Sequence, residues 1–155
     1  MKVHELKREL WLPRPVAEIF PFFAEAANLE ALTPPWLNFR ILSPRPIPIR
    51  LGTLIDYRIV VHGIPFRWQS EITAWEPPHR VVDEQRRGPY RLWRHEHSFS
   101  ERDGGTSIGD TVQYAVLFDP IVNRWLVRPD IDGIFDFRTK KMRELFGEAI
   151  PQLSS

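Results

Sequence analysis

Residues 52–99 read GTLIDYRIVVHGIPFRWQSEITAWEPPHRVVDEQRRGPYRLWRHEHSF, and this stretch decides the fold class. Apolar and polar side chains alternate through most of it, and short segments with glycine or proline interrupt the alternation. Side chains two positions apart share one face of a β-strand, while glycine and proline favour tight turns. The pattern therefore predicts a β-meander of four strands, at 53–62, 66–75, 80–87 and 90–100.

Further strands are predicted on both sides of this stretch. A short strand at 37–42 precedes it and is followed by the proline-rich connector 43–52. After the stretch, a glycine-containing turn leads to a strand at 106–117. Residues 3–11 alternate imperfectly and are predicted to form the first strand of the chain. The sequence is therefore expected to contain seven strands.

Helical periodicity flanks the predicted sheet. Residues 13–32, PRPVAEIFPFFAEAANLEAL, place apolar residues near helical spacing, but Pro21 would break or restart a helix. Two short helices are therefore expected there. Near the other end, residues 131–150 carry apolar side chains on one helical stripe, and Asp130 is a candidate N-cap. This second pattern predicts one long C-terminal helix.

The predicted order is one strand, two short helices, six strands and a long helix. In this order, and in the segments PRPVAEIFPFFAEAANLEALTP, 52–99 and FDFRTKKMRELF, the chain resembles the helix-grip superfamily. That superfamily includes START domains, polyketide cyclases/dehydrases and coenzyme Q-binding proteins. The chain is especially similar to the bacterial SRPBCC ligand-binding group within it.

The resemblance implies an α+β helix-grip fold, in which a curved antiparallel sheet of about seven strands grips a long C-terminal helix on its concave face. It extends over essentially the whole chain, so residues 1–155 are expected to form one domain. It also implies a cavity between sheet and helix. The expected ligand is a hydrophobic or amphipathic small molecule, such as a lipid, an isoprenoid or a polyketide-like compound.

Alternation assigns side chains to the concave face of this sheet. On the strand at 90–100, Trp93, His95, His97 and Phe99 share one face, which is predicted to point toward the C-terminal helix. Burying a polar group costs roughly 1–3 kcal/mol unless it finds a hydrogen-bond partner. The two histidines are therefore interpreted as the polar patch of a ligand pocket. Other strands are predicted to add Tyr57, Trp68, Ala74, Asp110 and Tyr114 to the same face.

Three further residues complete the inner part of the predicted ligand-binding set. The alternation at 80–87 does not decide whether Asp83 and Gln85 face inward. Arg138 interrupts the apolar stripe of the C-terminal helix. Its guanidinium is expected to snorkel to an edge, to pair with a carboxylate such as Asp83 or Asp110, or to contact a ligand.

The connector 118–129, FDPIVNRWLVRP, is unusually apolar for a segment between a strand and a helix. Such a connector is rarely just solvated, because exposed apolar clusters mark binding surfaces. It is predicted to cover one mouth of the cavity or to dock a partner, with Trp125 as its anchor. Trp125 is therefore the last member of the predicted ligand-binding set.

Three functions remain compatible with these residues. The first is binding of a hydrophobic ligand, with possible roles in transport or sequestration. The second is a cyclase, dehydratase or hydrolase that uses His95 or His97 as general acid/base, with Asp110 fixing the tautomer. The third is a zinc site built on His95 and His97, with Asp110 or Asp83 as third ligand. A His-x-His pair is a weak metal signal by itself, so we predict ligand binding, no metal and no cofactor.

The composition of the chain argues against several other classes of function and partner. Lysine and arginine total 21 and aspartate and glutamate 20, so a net charge of +1 gives no electrostatic reason to expect nucleic acid or an anionic membrane as partner. Without cysteine, the sequence has no disulfide, thiolate nucleophile or Cys-based zinc site. No stretch predicts a signal peptide or a membrane span, so a cytoplasmic protein without stable membrane insertion is expected. Related domains also bind proteins, and no motif here identifies such a partner.

Overall fold

A computed structural model describes residues 1–119 and 121–147. Within these residues, seven strands form a single antiparallel sheet in the order β1-β7-β6-β5-β4-β3-β2. Sequential strands are neighbours except where β1 closes on β7. The strands are β1 His4–Leu12, β2 Arg40–Ile41, β3 Leu54–Val61, β4 Ile64–Glu76, β5 Arg80–Arg87, β6 Leu92–Arg102 and β7 Gly105–Ala115.

Two short helices follow β1, and one long helix follows β7. The short ones are α1 Val16–Phe23 and α2 Leu29–Leu32, and the long one is α3 Arg128–Phe146. The expected helix-grip fold is confirmed by this element order. Among the described residues, no helix is both long and apolar enough to cross a bilayer.

The N-terminal helices differ in one detail from the expectation. Pro21 lies inside α1 instead of ending it. Proline lacks the N–H that would bond to the carbonyl four residues earlier, but it does not immediately stop a helix that packs on the core. Here α1 continues for two residues beyond Pro21, and Ala24 N–H then donates to the Pro21 carbonyl at 3.2 Å. The helix therefore ends at Phe23, two residues after the proline, and not at Pro21 itself.

The strand predicted at 37–42 is mostly wrong. Residues Pro35–Leu37 form a single 3₁₀ turn, and Asn38 adopts a left-handed conformation with φ of 44°. Proline fixes φ at a value that suits such a turn, and asparagine tolerates the left-handed region better than most residues. Only Arg40 and Ile41 remain to pair with β3.

The long helix begins earlier than predicted. It starts at Arg128, after a π-helical turn at Asn123–Val127, so Asp130 lies in its first turn and is not the N-cap. The Asp130 carboxylate instead accepts a hydrogen bond from His62 Nε2 at 2.8 Å. At the other end the helix is described to Phe146, and the predicted helical residues 148–150 lie outside the described residues.

A β-bulge changes which residues of β4 face inward. The register between β4 and β5 shifts between Ile72 and Ala74, so Trp75 lies opposite Val81. A bulge adds one residue to a strand and reverses the faces of the residues beyond it. Trp75 therefore packs against the core, 5.3 Å from the ring of Phe20, and the predicted inward position of Ala74 is wrong.

The core is divided into two clusters. The first packs the N-terminal helices and the proline-rich connector on the sheet and includes Ile19, Phe20, Ile47 and Phe99. The second packs α3 on β1 and β7 and is formed by Leu6, Val112, Tyr114, Ile131 and Phe135. Because this cluster holds α3 against β1 and β7, at one side of the sheet, the concave face of strands β3 to β6 is free to line a cavity.

Candidate functional site

A cavity of about 920 Å³ lies between the sheet and α3. Strands β3 to β6 contribute the largest share of its wall, and α3 contributes Asp130, Ile134 and Arg138. Apolar and aromatic side chains dominate this wall, including Ile55, Ile59, Trp68, Tyr90 and Trp93. Clefts of this size and character are the usual form of a small-molecule site.

One part of the wall is polar, and four side chains form it or lie directly behind it. We call Asp83, His95, His97 and Asp110 the His–Asp cluster. His95 and His97 come from β6, whereas Asp83 lies on β5 and Asp110 on β7, so the two histidines sit between two carboxylates. His95 and His97 are 5% and 6% exposed, which confirms that they point inward. Asp83 and both histidines line the cavity.

Hydrogen bonds in the cluster run diagonally across the strands. Backbone pairing sets Asp83 opposite His95 and Asp110 opposite His97. The short contacts, however, join His95 Nε2 to Asp110 Oδ1 at 2.7 Å and His97 Nε2 to Asp83 Oδ2 at 3.1 Å. An ionised carboxylate can only accept, so each imidazole donates. The two rings lie 3.7 Å apart between centroids and are tilted by 34°.

Both carboxyl groups of the cluster are acidic despite being buried. Burial alone would raise the pKa of Asp83, but the hydrogen bond from His97 and the positive charges nearby outweigh it, so its pKa is lowered. The pKa of Asp110 is well below its ordinary value, because the contacts with His95 and His97 outweigh burial in the same way. Arg138 contributes to both shifts. Both carboxyl groups are therefore ionised at neutral pH.

The two imidazoles respond differently to this environment. Burial, followed by the charge of its neighbour, lowers the pKa of His95. Burial also lowers the pKa of His97, but the carboxylates of Asp110 and Asp83 outweigh it and the net shift is upward. Nδ1 of His97 is buried 3.3 Å from Asp110 Oδ1 and has no hydrogen-bond partner among the described residues.

Aromatic side chains extend the wall away from the cluster. Tyr57 and Trp68 are stacked, with ring centroids 5.6 Å apart, and Trp93 meets Trp68 edge to face at 5.4 Å. Trp68 Nε1 donates to Ser70 Oγ at 3.0 Å, which satisfies the buried indole. Burial, the largest effect, raises the pKa of Tyr57 well above its ordinary value, so its hydroxyl is neutral.

Arg138 lines the cavity from α3. Its guanidinium carbon lies 5.4 Å from the centroid of Phe135, in the geometry of a cation–π contact. Within the described part of the chain it forms no ion pair. Its charge nevertheless reaches Asp83 and Asp110, as their lowered pKa values indicate.

Other members of the predicted set lie outside the cavity wall. Gln85 holds the turn after β5, where its Nε2 donates to the Tyr90 carbonyl at 2.8 Å and its Oε1 accepts from Tyr90 N–H at 3.1 Å. Phe99 points inward but is buried in the first core cluster. Tyr114 is buried in the second cluster, and its hydroxyl donates to Asn123 Oδ1 at 2.7 Å.

Trp125 is also placed differently from the prediction. It is 69% exposed and lies outside the cavity wall, whereas Phe118, Val122 and Val127 of the same connector line the cavity. Docking of a partner by Trp125 stays a prediction. The guanidinium carbon of Arg124 lies over its indole, 5.4 Å from the ring centroid. Of the connector predicted at 118–129, Pro120 lies outside the described residues.

Several wall residues were missed by sequence reasoning. Phe39 packs on Tyr57 at 4.8 Å between centroids, Tyr90 packs on Trp93 at 4.9 Å, and Leu117 lies at the rim next to Phe118 of the predicted connector. Tyr90 directly follows the Gly-Pro turn, and an aromatic side chain next to a hairpin turn is the sequence signal that could have identified it as a wall residue. The others lie in loops, where alternation assigns no face.

Comparison with known proteins gives a family and a fold. Residues 12–143 match the family described as polyketide cyclase / dehydrase and lipid transport. No curated protein matches the chain. Among solved structures, protein Ms6760 from Mycobacterium smegmatis is 18% identical, with a TM-score of 0.66 over 94% of this chain and 96% of that one.

Two further solved structures have the same architecture. Ara h 8.0201 is 18% identical, with a TM-score of 0.66 over 93% of this chain and 97% of that one. Major latex-like protein 151 from Panax ginseng is 10% identical, with a TM-score of 0.67 over 93% and 97% of the two chains. At such identities the likeness is one of fold.

Proposed function

Because the chain belongs to the polyketide cyclase / dehydrase and lipid transport family, we propose that it binds a hydrophobic or amphipathic small molecule between the sheet and α3. The cavity of about 920 Å³, with a mostly apolar wall and one polar region, carries this proposal. Sites for small ligands usually measure about 300–1,000 Å³ and combine apolar walls with a few polar groups. The cavity is thus large enough for one lipid-sized or polyketide-sized molecule.

The wall suggests how such a ligand would lie. Its apolar part would pack against Trp68 and Trp93, whose rings meet edge to face. Its polar end would face the His–Asp cluster or Arg138, which supplies up to five N–H donors. Burial of apolar surface would supply most of the affinity, and the polar contacts would set the orientation.

The rim of the cavity is compatible with entry of an apolar molecule. Ile64, Leu117 and Phe118 line it and are strongly exposed, and Phe118 is 82% exposed. Beside Ile64, the hydrogen bond between His62 and Asp130 joins the β3–β4 turn to α3. We assign entry to the rim around Phe118, which is the most exposed of these side chains. A cytoplasmic location and the absence of a nucleic-acid partner stay predictions from the sequence.

Native mass spectrometry of the purified protein, followed by organic extraction, tests the proposal. A co-purified lipid or aromatic compound is the expected result. Titration with an apolar fluorophore then measures the affinity. Trp93→Ala should weaken binding about tenfold, which corresponds to the loss of one aromatic contact.

Trp11→Ala is the matched control, because Trp11 is exposed on β1 and lies outside the cavity wall. Its affinity for the fluorophore should equal that of the parent protein. Equal affinities of all three proteins would place the fluorophore elsewhere and would contradict the proposal.

A second candidate function is enzymatic, and the orientation of His95 favours it. Its Nε2–H donates to Asp110 at 2.7 Å, so the carboxylate fixes the ring while the imidazole faces the cavity. A histidine oriented in this way can act as general acid/base in a cyclisation, dehydration or hydrolysis. His95→Gln distinguishes the two functions, since glutamine keeps a donor and an acceptor but cannot shuttle a proton near neutral pH. Weaker binding by about 1–2 kcal/mol supports a binding role. A ~10²–10⁴-fold loss of turnover at unchanged affinity supports catalysis.

A further inference from the structure

Three potential metal ligands converge at the polar wall of the cavity. Asp83, His95 and His97 each offer one ligand atom, and these three atoms all lie within 4.8 Å of one another. His95 Nδ1 and His97 Nε2 are 3.9 Å and 3.1 Å from the same oxygen, Asp83 Oδ2. They come from adjacent strands, so the sheet itself holds their spacing.

The hydrogen bond to Asp110 leaves one of these atoms without a proton. His95 donates its Nε2–H to Asp110, so in a neutral imidazole Nδ1 is a lone pair that faces Asp83 Oδ2. His95 Nδ1 and Asp83 Oδ2 are then two hydrogen-bond acceptors 3.9 Å apart at a buried site. Their lone pairs repel each other unless a cation or a proton lies between them.

His97 contains a second unsatisfied feature. Its Nδ1 is buried 3.3 Å from Asp110 Oδ1 without a hydrogen-bond partner among the described residues. If Nε2 bound a cation, the proton of a neutral imidazole would reside on Nδ1 and face Asp110. Both histidines would then direct their second nitrogen to the same carboxylate. Metal-binding histidines are almost always supported in this way by a carboxylate, a carbonyl or a water.

We propose that Asp83, His95 and His97 form a binding site for a divalent transition-metal ion such as Zn²⁺, with Asp110 orienting both imidazoles. Two imidazoles and one carboxylate suit Zn²⁺ and similar ions better than Ca²⁺ or Mg²⁺, which prefer oxygen ligands. In a tetrahedral zinc site with bonds of about 2.0–2.2 Å, neighbouring donors lie roughly 3.3 Å apart. The two distances to Asp83 Oδ2, 3.1 Å and 3.9 Å, bracket this spacing, and all three donor atoms lie within 4.8 Å of one another. The fourth position opens into the cavity, because all three ligands line it.

Zinc titration of the untagged, chelator-treated protein tests the proposal, with a chromophoric chelator as competitor. One Zn²⁺ per chain should bind with a dissociation constant of about 1 μM or lower. Asp83→Asn and His97→Gln should each weaken binding at least about 100-fold, because each removes a ligand. Asp110→Asn should weaken it by about 10–100-fold while the stoichiometry stays one, as expected for a group that only orients the ligands.

His4→Gln is the matched control. His4 is another part-buried histidine with a carboxylate partner, since its Nε2 lies 2.7 Å from Asp119 Oδ1. This variant should bind zinc like the parent protein. Absence of stoichiometric binding by the parent would overturn the proposal, as would binding that survives in Asp83→Asn and His97→Gln or is lost in His4→Gln.

Nuclear magnetic resonance of the ¹⁵N-labelled imidazoles keeps the test independent of variants that fail to fold. Zinc should shift Nδ1 of His95 and Nε2 of His97 and leave the other histidines unchanged. Shifts confined to other histidines would overturn the site. Neither outcome affects the fluorophore titration, so failure of the metal site and failure of the ligand cavity are distinguishable.

Discussion

Two isoleucines on α3 test whether the cavity is open in solution. Ile131 and Ile134 lie three residues apart on one helix but in different environments. Ile131 is 0% exposed and packs in the second core cluster, whereas Ile134 is part-exposed on the cavity wall. Replacing each by alanine removes the same three carbons and improves helix propensity similarly, so the difference between the two variants reports the environment alone.

The expected magnitudes follow from what surrounds the removed atoms. At about 0.8 kcal/mol per methylene, Ile131→Ala loses about 2.4 kcal/mol of transfer free energy, and the void it leaves adds to this. We expect its free energy of unfolding to fall by about 3–4 kcal/mol. Ile134→Ala removes atoms that already border open space, so it creates no new void, and only part of the transfer term applies. We expect a loss of about 1 kcal/mol.

Urea denaturation followed by tryptophan fluorescence measures both values after removal of co-purified ligand. The slopes with denaturant should be equal, so that the shifts of the midpoints report stability. Saturation with an apolar ligand should stabilise the parent protein more than Ile134→Ala, because this variant loses part of the wall. Equal destabilisation by the two substitutions without ligand would mean that the cavity is collapsed, and the structural basis of the proposed function would fail.

Three further predictions concern the rim, one surface ion pair and the tyrosines. Phe118→Ala should accelerate uptake of an apolar fluorophore severalfold in stopped-flow experiments, because Phe118 lines the rim. Trp125→Ala is the control and should leave the uptake rate unchanged. Equal uptake rates in the two variants would contradict this prediction. Arg8 pairs with Asp136 at 2.7 Å and with Asp132 at 3.1 Å and is partly exposed, so Arg8→Gln should lower the free energy of unfolding by at most about 1 kcal/mol. This difference should vanish at about 1 M salt, and persistence there would refute an electrostatic origin. In alkaline titration, phenolate absorbance should be absent near pH 10 while the fold is intact, and stability should fall as pH rises above about 10, because the unfolded chain ionises first. A native-state tyrosine that titrates near 10 would contradict the effect of burial, which raises the pKa of all three tyrosines, Tyr57, Tyr90 and Tyr114.

The meander could be predicted from the sequence because its signals are local. The strand predicted at 80–87 is observed as β5 Arg80–Arg87, and the turns around Gly63 and Gly104 have the positive φ values that glycine permits. Period-two alternation and turn residues depend on a few neighbouring positions. Such features can therefore be recognised without knowing which strands pair with each other.

The bulge in β4 and the start of α3 could not be predicted in this way. The bulge shifts the register between β4 and β5 so that Trp75 pairs with Val81, and no residue in β4 itself marks it. Aspartate is a residue type that favours the N-cap position. The carboxylate of Asp130, however, accepts a hydrogen bond from His62, which lies 68 positions earlier. In both cases packing against another element of the fold, which the local pattern does not encode, overrides the local preference.

In the His–Asp cluster too, the local sequence predicts one feature, and contacts between strands determine another. Alternation along β6 predicts that His95 and His97 share a face, and the structure confirms this. Alternation cannot say which carboxylate each histidine contacts, because this depends on strand register and on the lean of the side chains. Simple cross-strand pairing would join Asp83 to His95, whereas the shorter hydrogen bond joins Asp83 to His97.

The position of the cluster bears on why the chain contains it. Four ionisable side chains lie on the central strands of a sheet whose other inward residues are mostly apolar. Replacing buried ion pairs by well-packed apolar residues is often neutral or stabilising by about 1–4 kcal/mol. Folding alone therefore gives no reason for two histidines and two aspartates at this place. Three of them line a cavity large enough for a small molecule, so an interaction at the cavity wall, with a ligand or a metal ion, explains their presence better than stability does.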